Sequence, residues 1–495
     1  MTVQIRAKFC VCLLAVSSFG AAPLKLKTSD ARLAGAFEWA QHQALAYAFE
    51  GDPVGDWYEA ALPGRQAFCM RDTAHQSAGA HFLGLDPHTR NMLEKFAVNI
   101  SDSKDWCSYW EIDRYNRPAP VDYKDDTQFW YNLPANFDVL DACYRMYLWT
   151  GDATYITDPV LQNFYRRTAH DFVDRWDLSL DRVMARPRIM NVRGHIDPAN
   201  RFQRNRGIPS YNEGNPNFVV AIDQLAAQYA GYLAYARLAQ WSGNTNEAEA
   251  FLSRAAAVRS FVNDTWWNKS AGTYYSRVNL KHQLEGQGMN SSLLYYGVAD
   301  DSEKSSAVLK SIVDAIQQKE RMGVEGQSHL PEILYRYGKP DMAYEQILDL
   351  TREDKSRREY PEVSFSVVGA VVIGLMGIEI EAAEPRQAVR DSTYVDDSLV
   401  TIPHLPSQTQ WAELDHVPVR ANTIRLRHDG LSKSILQNIT GPSLVWKGCF
   451  PGSSATLLVD GKPVPAKPQR NHGEAHSCAS IIVGSGDTRT IQLPE

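Results

Sequence analysis

Two kinds of helical segment alternate along residues 33–378, and this repeat restricts the possible fold more strongly than any other property of the sequence. In both kinds, apolar residues recur every three or four positions, which is the helical period. One kind, such as NFVVAIDQLAAQYAGYLAYARLAQW, is apolar on nearly all sides and is expected to be surrounded by protein. The other kind, such as TNEAEAFLSRAAAVRSFV, carries charge on one face and is expected to cover the first kind.

The turns between the two kinds repeat a pattern in which a glycine ends the apolar segment and Asp, Asn or Pro opens the charged one. Glycine permits the left-handed stop of a helix, and the polar residue caps the next helix. These glycines are Gly84, Gly151, Gly243, Gly297 and Gly338, and a further inner helix ends near Gly377. The inner segments start near His75, Leu133, Phe218, Asn290, Ser328 and Glu362, and the outer segments start near Arg32, Pro87, Asp158, Thr245, Ser302 and Pro340. Six such pairs predict a mainly α fold, an (α/α)6 barrel over residues 23–380.

The periodicity of the sequence changes after about residue 380, from a helical to a strand-like pattern. Short alternating runs such as NTIRLRHDG, SKSILQNIT and CASIIVG are separated by Gly, Asp and Asn, which is typical of strands and turns. The Asp-Gly pair in ATLLVDGKPV lies between two apolar runs and predicts a hairpin. Residues 381–495 are therefore predicted to form a C-terminal β-sandwich domain.

The N-terminal segment has the pattern of a secretory signal peptide. Arg6 and Lys8 precede an apolar core of about ten residues, which is followed by Ser, Gly and Ala. We expect residues 1–22 to be removed and the protein to be secreted or periplasmic. In an oxidising compartment Cys449 and Cys478 are candidates for a disulfide in the C-terminal domain, and Cys69 with Cys107 is a second possibility.

Composition and spacing argue against several classes of function. The formal net charge is -7, without the basic stripe that nucleic-acid binding needs. The apolar run from Val363 to Ile378 is shorter than the ~20 residues of a membrane span, so it is expected to be a core helix. No CxxC or HxxxH spacing indicates a metal site, and neither a metal nor another cofactor is expected. The sequence leaves the oligomeric state open.

The loops that lead from outer to inner segments all open on one rim of the predicted barrel, and they hold the unusual residues. Carboxylates, amides and tryptophans that converge on one basin suit a sugar, because hydroxyls bind to acids and ring faces lie on aromatic planes. The candidates for catalysis are Glu362, Glu213 and Asp126, and those for substrate binding are Arg71, Asp72, Glu111, Trp130, Glu325 and His329.

Purely structural roles are open for several of these residues. Asp72 could cap a helix that starts at Thr73, and the dipole of the following helix would stabilise Glu362 without any function. The arginines in and just before the third loop could be solvated, or one or two of them could bind an anionic sugar such as a uronic acid. These arginines are Arg186, Arg188, Arg193, Arg201, Arg204 and Arg206.

The sequence resembles the six-hairpin glycosidase superfamily, which includes glucoamylases, trehalases and α-L-rhamnosidases. The resemblance covers residues 33–378 and is carried by FCMRDTAHQSAGAHFLG, DDTQFWYNLPANFD, and EGQSHLPEILYRYG followed by EYPEVSFSVVGA. It implies a glycoside hydrolase that acts on an oligo- or polysaccharide. Most such enzymes invert the anomeric centre with a general acid and a general base. The resemblance implies Glu213 as the acid and Glu362 as the base, with Asp126 as the rival acid and Glu325 as the rival base.

Two other functions are compatible with the same barrel. A polysaccharide lyase would use Tyr211 or His329 as the base and an arginine to neutralise a uronate. An unsaturated-uronyl hydrolase would be intermediate between the glycoside hydrolase and the lyase. A glycan-binding protein without catalysis is the third hypothesis, although the several acidic residues argue against it.

Overall fold

The computed structural model describes residues 23–186, 199–213, 217–299, 302–381 and 398–494. The predicted signal peptide, residues 1–22, lies outside the described residues, as do Arg188 and Arg193. The α-helices along the described residues are α1 Ala31–Leu45, α2 Met70–Phe82, α3 Asp86–Val98, α4 Pro134–Thr150, α5 Thr154–Thr157, α6 Pro159–Arg167, α7 Val173–Arg175, α8 Arg201–Asn205, α9 Ile222–Trp241, α10 Thr245–Thr265, α11 Ser292–Tyr295, α12 Ser302–Gln317, α13 Val324–Ser328, α14 Leu330–Arg336, α15 Pro340–Thr351 and α16 Pro361–Gly369.

The helices form the predicted six hairpins. The inner helices are α2, α4, α9, α11, α14 and α16, and α2 packs against both α4 and α16, so that the inner set closes on itself. The outer helices α1, α3, α6, α10, α12 and α15 begin within one residue of their predicted starts. The mainly α barrel predicted from the alternating segments is therefore confirmed.

Glycines allow both the turns and the close packing of the inner helices. The five predicted turn glycines and Gly377 all have positive φ, from 55° at Gly377 to 82° at Gly243, a region that side chains disfavour. A Cβ added at Gly79 of α2 would lie 2.1 Å from the backbone oxygen of Phe365 in α16. The predicted core helix consists of α16 and a π-helical continuation, Ala370–Leu375, and it is buried along nearly its whole length.

Twenty-five strands are assigned along the described residues, and the long ones form two sheets in the C-terminal region. The strands are β1 Lys25–Thr28, β2 Ala48–Asp52, β3 Gly55–Tyr58, β4 Ala67–Cys69, β5 Glu111–Asp113, β6 Tyr123–Asp125, β7 Gln128–Phe129, β8 Tyr131–Asn132, β9 Arg206–Ile208, β10 Phe218–Ala221, β11 Trp267–Asn268, β12 Thr273–Tyr274, β13 Arg277–Asn279, β14 Leu284–Glu285, β15 Ile378–Glu381, β16 Ser398–Thr401, β17 Trp411–Val419, β18 Asn422–Asp429, β19 Lys433–Thr440, β20 Leu444–Pro451, β21 Thr456–Val459, β22 Lys462–Pro465, β23 Lys467–Asn471, β24 Glu474–Val483 and β25 Thr488–Gln492.

The first sheet has the order β1-β17-β18-β19-β25-β21-β22, and the second has the order β15-β16-β20-β24-β23. The N-terminal strand β1 pairs antiparallel with β17, so a segment that the sequence placed with the barrel completes the first sheet. Cys449 of β20 and Cys478 of β24 are directly opposite and form a disulfide, whereas Cys69 and Cys107 are free and buried. The predicted Asp-Gly hairpin joins β21 to β22.

The two sheets pack against the rim where the inner helices end. His81 Nε2 of α2 lies 3.2 Å from the Pro418 oxygen, and the Arg420 amide donates to the Trp149 oxygen at 2.6 Å. At the end of the helical segment that continues α16, the Met376 oxygen lies 3.0 Å from Nε2 of His428 in β18. The opposite rim, where the inner helices begin, is left for a binding site. Among the described residues, no helix combines the length and the apolar character that crossing a membrane requires.

Candidate active site

Two adjoining cavities open at the rim where the inner helices begin. The larger one, which we name the main chamber, has a volume of about 750 Å³. The smaller one, which we name the second chamber, has a volume of about 310 Å³. Arg71, Glu213 and Glu325 line both chambers and therefore separate them. A 750 Å³ cavity lies within the range of small-molecule sites, and a ligand could extend from one chamber into the other.

Glu362, in the first turn of α16, is a fully buried carboxylate in the wall of the main chamber. Its Oε1 lies 2.9 Å from His329 Nε2 and 3.3 Å from His75 Nδ1. Burial alone would raise the pKa of Glu362, but the hydrogen bonds from His329 and His75 outweigh burial and hold it well below its usual range. Its Oε2 is buried and accepts no hydrogen bond from the described residues. The carboxylate is therefore ionised and has one oxygen available to a water molecule or a ligand.

His75, one turn into α2, lies between two carboxylates. Its Nε2 is 3.6 Å from Asp138 Oδ2, opposite the contact with Glu362. Burial lowers the pKa of His75, but the two carboxylates outweigh burial and raise the pKa to about 9. Asp138 also accepts hydrogen bonds from the hydroxyls of Tyr211 and Tyr296. At neutral pH His75, which lines the main chamber, is thus an imidazolium between the side chains of Glu362 and Asp138.

His75, His329 and Glu362 also have the composition of a metal site, since their ligand atoms lie within 4.8 Å of one another. Two histidines and a carboxylate can hold a divalent transition metal. In this arrangement, however, both histidine nitrogens face the same carboxylate oxygen at hydrogen-bond distance. His75 is also placed to hold a proton between Glu362 and Asp138. The contacts are those of a proton-sharing network, and we assign the three residues to such a network.

Arg71 and Asp72, also in the first turn of α2, lie between the two chambers. Arg71 Nε donates to Asp72 Oδ1 at 2.9 Å, and the Tyr360 hydroxyl donates to Asp72 Oδ2 at 2.6 Å. Helix α2 begins at Met70, so Asp72 is not the cap that the sequence left open for it. Arg71 Nη1 lies 4.0 Å from Glu213 Oε1, and its guanidinium lies over the Tyr211 ring.

Glu213 precedes β10 and α9, and 36% of its side chain is exposed. Partial burial of the carboxyl group raises the pKa of Glu213 above its ordinary value, although the positive charge of Arg71 opposes this effect. Glu213 and Glu362 thus line one chamber with opposite shifts in pKa. Such a difference is the physical requirement for one carboxyl group to donate a proton while the other accepts one.

The second chamber is lined by four arginines together with aromatic and acidic side chains. Arg65 Nη1 lies 2.7 Å from Glu111 Oε2 and 3.8 Å from Asp122 Oδ2, and Arg201 Nη2 lies 3.2 Å from Asp122 Oδ1. Burial and the adjacent Asp122 raise the pKa of Glu111 to about 9. Arg201 also stacks over Trp130, whose Nε1 donates to an amide oxygen. Of the predicted residues, Trp130 lines this chamber. Glu111 does not line it but contacts Arg65, which does.

Other predicted residues lie elsewhere or have structural partners. Asp126 lines neither chamber, and its Oδ1 accepts a hydrogen bond from the Tyr123 hydroxyl. Glu325 lines both chambers and pairs with Arg357 at 2.8 Å. Among the arginines of the third loop, Arg201 lines the second chamber, whereas Arg186 and Arg206 are buried and bonded to the scaffold, and Arg204 is exposed.

Sequence reasoning missed His75 and Asp138 as site residues. His75 lies in FCMRDTAHQSAGAHFLG and Asp138 lies in DDTQFWYNLPANFD, two segments that carry the family resemblance, but only other residues of these segments were predicted as site residues. His75 is four residues after Arg71 on the same helix, so the two share a helix face. The i, i+4 spacing of Arg71 and His75 was therefore a signal in the sequence for a shared site.

Comparisons with known proteins agree with this architecture. Residues 215–356 match the family described as bacterial alpha-L-rhamnosidase 6 hairpin glycosidase domain. A search of curated proteins finds no match.

Three solved structures have a similar fold. An alpha-L-rhamnosidase from Dictyoglumus thermophilum aligns with a TM-score of 0.59 at 12% identity, over 96% of this chain and 50% of that chain. A GH78 family rhamnosidase of Bacillus sp. GL1 aligns with a TM-score of 0.56 at 14% identity, over 85% of this chain and 41% of that one. An alpha-L-rhamnosidase from Aspergillus terreus aligns with a TM-score of 0.54 at 15% identity, over 94% of this chain and 50% of that one.

This chain thus spans half or less of the length of these three proteins. Residues 215–356 thus match a six-hairpin glycosidase domain, and the fold of the chain is similar to that of the three solved rhamnosidases.

Proposed function

We propose that the protein is an exported, exo-acting glycoside hydrolase that inverts the anomeric centre, with Glu213 as the general acid and Glu362 as the general base. The observation that carries the proposal is that two carboxyl groups with opposite pKa shifts line one chamber. The names of the similar structures make α-L-rhamnose the first terminal sugar to test.

Glu362 has the properties that a base needs. The two histidine nitrogens on Oε1 keep the carboxylate ionised, and the free Oε2 can accept a proton from water. In an inverting reaction this water attacks the anomeric carbon as its proton passes to Glu362. Glu325, the rival base, is less suited to this role because it is paired with Arg357 and has no imidazole partner in the described residues.

Glu213 has the properties that an acid needs. Its raised pKa favours the protonated form, and its partial exposure lets it reach a leaving oxygen. It lies at the boundary of the two chambers, where a glycosidic bond between a sugar in one chamber and a sugar in the other would be placed. Asp126, the rival acid, lines neither chamber, and hydrogen bonds and nearby cations lower its pKa although burial opposes them.

Exo action is supported by the shape of the barrel. The first sheet packs against the rim where the inner helices end, and the main chamber is lined by His75 and Glu362 near the starts of α2 and α16. A chamber that is closed at one end receives the end of a glycan chain. Export rests on the N-terminal sequence pattern, and the disulfide between Cys449 and Cys478 is compatible with an oxidising compartment.

A screen of aryl glycosides and oligosaccharides, with NMR recording the anomer that is released first, tests the proposal. We expect the anomer opposite to that of the substrate, and loss of most activity in both Glu213→Gln and Glu362→Gln with unchanged thermal unfolding. Release of the retained anomer, or wild-type activity in both variants, contradicts the mechanism.

A lyase reaction is less well supported than hydrolysis. The Tyr211 hydroxyl donates to Asp138, and burial together with that carboxylate raises the pKa of Tyr211 well above its ordinary value. A phenol in this state is a poor base. Unsaturated products absorbing in the ultraviolet would overturn this reasoning, and binding of glycans without turnover would favour a non-catalytic protein.

A further inference from the structure

We infer that the second chamber is a binding site for an anionic group of the glycan, carried by the sugar next to the bond that is cleaved. The group is a carboxylate or a sulfate ester, and it binds at Arg65 and Arg201. This inference rests on the proposed function for the position of the bond, but the site itself is argued from the second chamber alone.

The first argument is the arrangement of the cations. Arg65 and Arg201 both contact Asp122, which brings the two guanidinium groups to one place in the wall. Their side chains are 32% and 46% exposed, so neither is enclosed by protein. Each has one nitrogen within 3.2 Å of a carboxylate oxygen, and a guanidinium group carries five N–H donors. Donors therefore remain for a ligand, and guanidinium pairs are well suited to carboxylate and sulfate oxygens.

The second argument is the balance of charge around these arginines. Arg71 is matched by Asp72 at 2.9 Å, and Arg357 is matched by Glu325 at 2.8 Å. Arg65 and Arg201 face Glu111 and Asp122, whereas Glu213, which also lines this chamber, lies beside Arg71 at 4.0 Å.

Glu111 is 1% exposed, and its raised pKa, caused first by burial and then by Asp122, means that this pair holds a proton at neutral pH. The two guanidinium groups then face a carboxyl pair that shares a proton, so Arg65 and Arg201 are not fully neutralised by their direct partners.

The third argument is the shape and position of the second chamber. Its volume of about 310 Å³ is at the lower end of the range for small-molecule sites, which suits a single sugar unit. Trp130 lies under Arg201, with 5.6 Å between the guanidinium carbon and the ring centroid, so an aromatic surface adjoins the cations. Glu213 lies at its boundary with the main chamber, so a sugar bound here would adjoin the bond that Glu213 protonates.

Binding of three matched sugars to the full chain tests the inference. D-glucuronate and D-glucose 6-sulfate carry an anionic group at the position where D-glucose carries a hydroxyl, and dissociation constants are measured by ligand-observed NMR at low and high salt. We expect at least one anionic sugar to bind tenfold or more tightly than D-glucose, and the tighter of the two identifies the group. We also expect its affinity to fall as salt rises. Equal affinities for all three sugars overturn the inference.

Arg201→Gln is the diagnostic variant, and Arg204→Gln is its matched control. Arg204 lies on the same short helix, is exposed and lines neither chamber, so the change of charge is identical. We expect Arg201→Gln to weaken binding of the anionic sugar about tenfold or more, Arg201→Lys to recover part of the loss, and Arg204→Gln to have little effect. An equal loss in Arg201→Gln and Arg204→Gln contradicts the assignment, and Arg201→Lys provides the comparison if Arg201→Gln does not fold.

The test separates this inference from the proposed function. A protein that binds glucuronate or the sulfate tightly but hydrolyses no glycoside refutes the hydrolase and leaves the anion site standing. A protein that hydrolyses glycosides without any preference for an anionic neighbouring sugar refutes the anion site and leaves the hydrolase standing.

Discussion

Replacing His75 by glutamine should remove a contribution to stability that depends on pH. The imidazole is buried, with Glu362 Oε1 3.3 Å from Nδ1 and Asp138 Oδ2 3.6 Å from Nε2. Burial lowers its pKa, but these two carboxylates outweigh burial and raise the pKa from 6.5 to about 9. The folded protein therefore binds this proton more tightly than the unfolded chain does.

The size of the effect follows from that difference in pKa. A rise of about 2.5 corresponds to about 3 kcal/mol, at roughly 1.4 kcal/mol for each pKa unit. Because the folded pKa lies above the unfolded one, the stabilisation is complete below pH 6.5 and is lost as the pH rises through about 9. The free energy of unfolding should therefore fall across this interval by up to about 3 kcal/mol on account of His75.

Urea unfolding of the wild type and of His75→Gln at a series of pH values between about 6 and 10 measures this contribution. We expect the difference in free energy of unfolding between the two proteins to shrink as the pH rises, since the wild type alone loses the imidazolium. His42→Gln is the control, because His42 is exposed on α1. Parallel pH curves for the wild type and His75→Gln would refute the placement of a charged histidine between the two carboxylates.

Three further predictions concern the scaffold. Replacing both Cys449 and Cys478, 29 residues apart, by serine should lower the free energy of unfolding by about 2–4 kcal/mol in a urea titration. Gly79→Ala should destabilise the protein by about 1–3 kcal/mol or more, since its Cβ would meet the backbone of α16 at 2.1 Å. As the control, Gly35→Ala on an open face of α1 should be neutral or stabilising in the same urea titration. Burial lowers the pKa of His428 to about 4, so the wild type should lose stability as the pH falls from 6.5 to about 4, and His428→Gln should lose less.

The helical scaffold was predictable because its rules are local. The start of each outer helix was predicted to within one residue. Five of these helices follow a glycine with positive φ and a polar or proline residue, as at Gly151 and Gly243, and α1 is capped by Asp30. The Asp-Gly hairpin follows from a similarly local signal, whereas the disulfide was one of two candidate pairings and only Cys449 with Cys478 forms. The pairing of β1 with β17 could not be predicted, because the two strands are separated by more than 380 residues and no local pattern connects them.

The candidate site was predictable in part. Glu362, Glu213, His329 and Arg71 were expected on one rim, and the structure brings them to one chamber. The proton-sharing contact of His75 with Glu362 was missed, because it depends on how closely α2 approaches α16, which the sequence does not specify. The roles of these residues remain predictions.

The measurement that tests the acid and base roles most directly compares two leaving groups on the same sugar. A dinitrophenol leaves without protonation, whereas an alcohol needs a general acid, a contribution of about 10²–10⁴-fold in rate. For Glu213→Gln we predict a large loss of kcat/KM on the alkyl glycoside and little loss on the dinitrophenyl glycoside, whereas Glu362→Gln loses activity on both. An equal loss on both substrates in Glu213→Gln, or normal turnover in Glu362→Gln, would contradict the account.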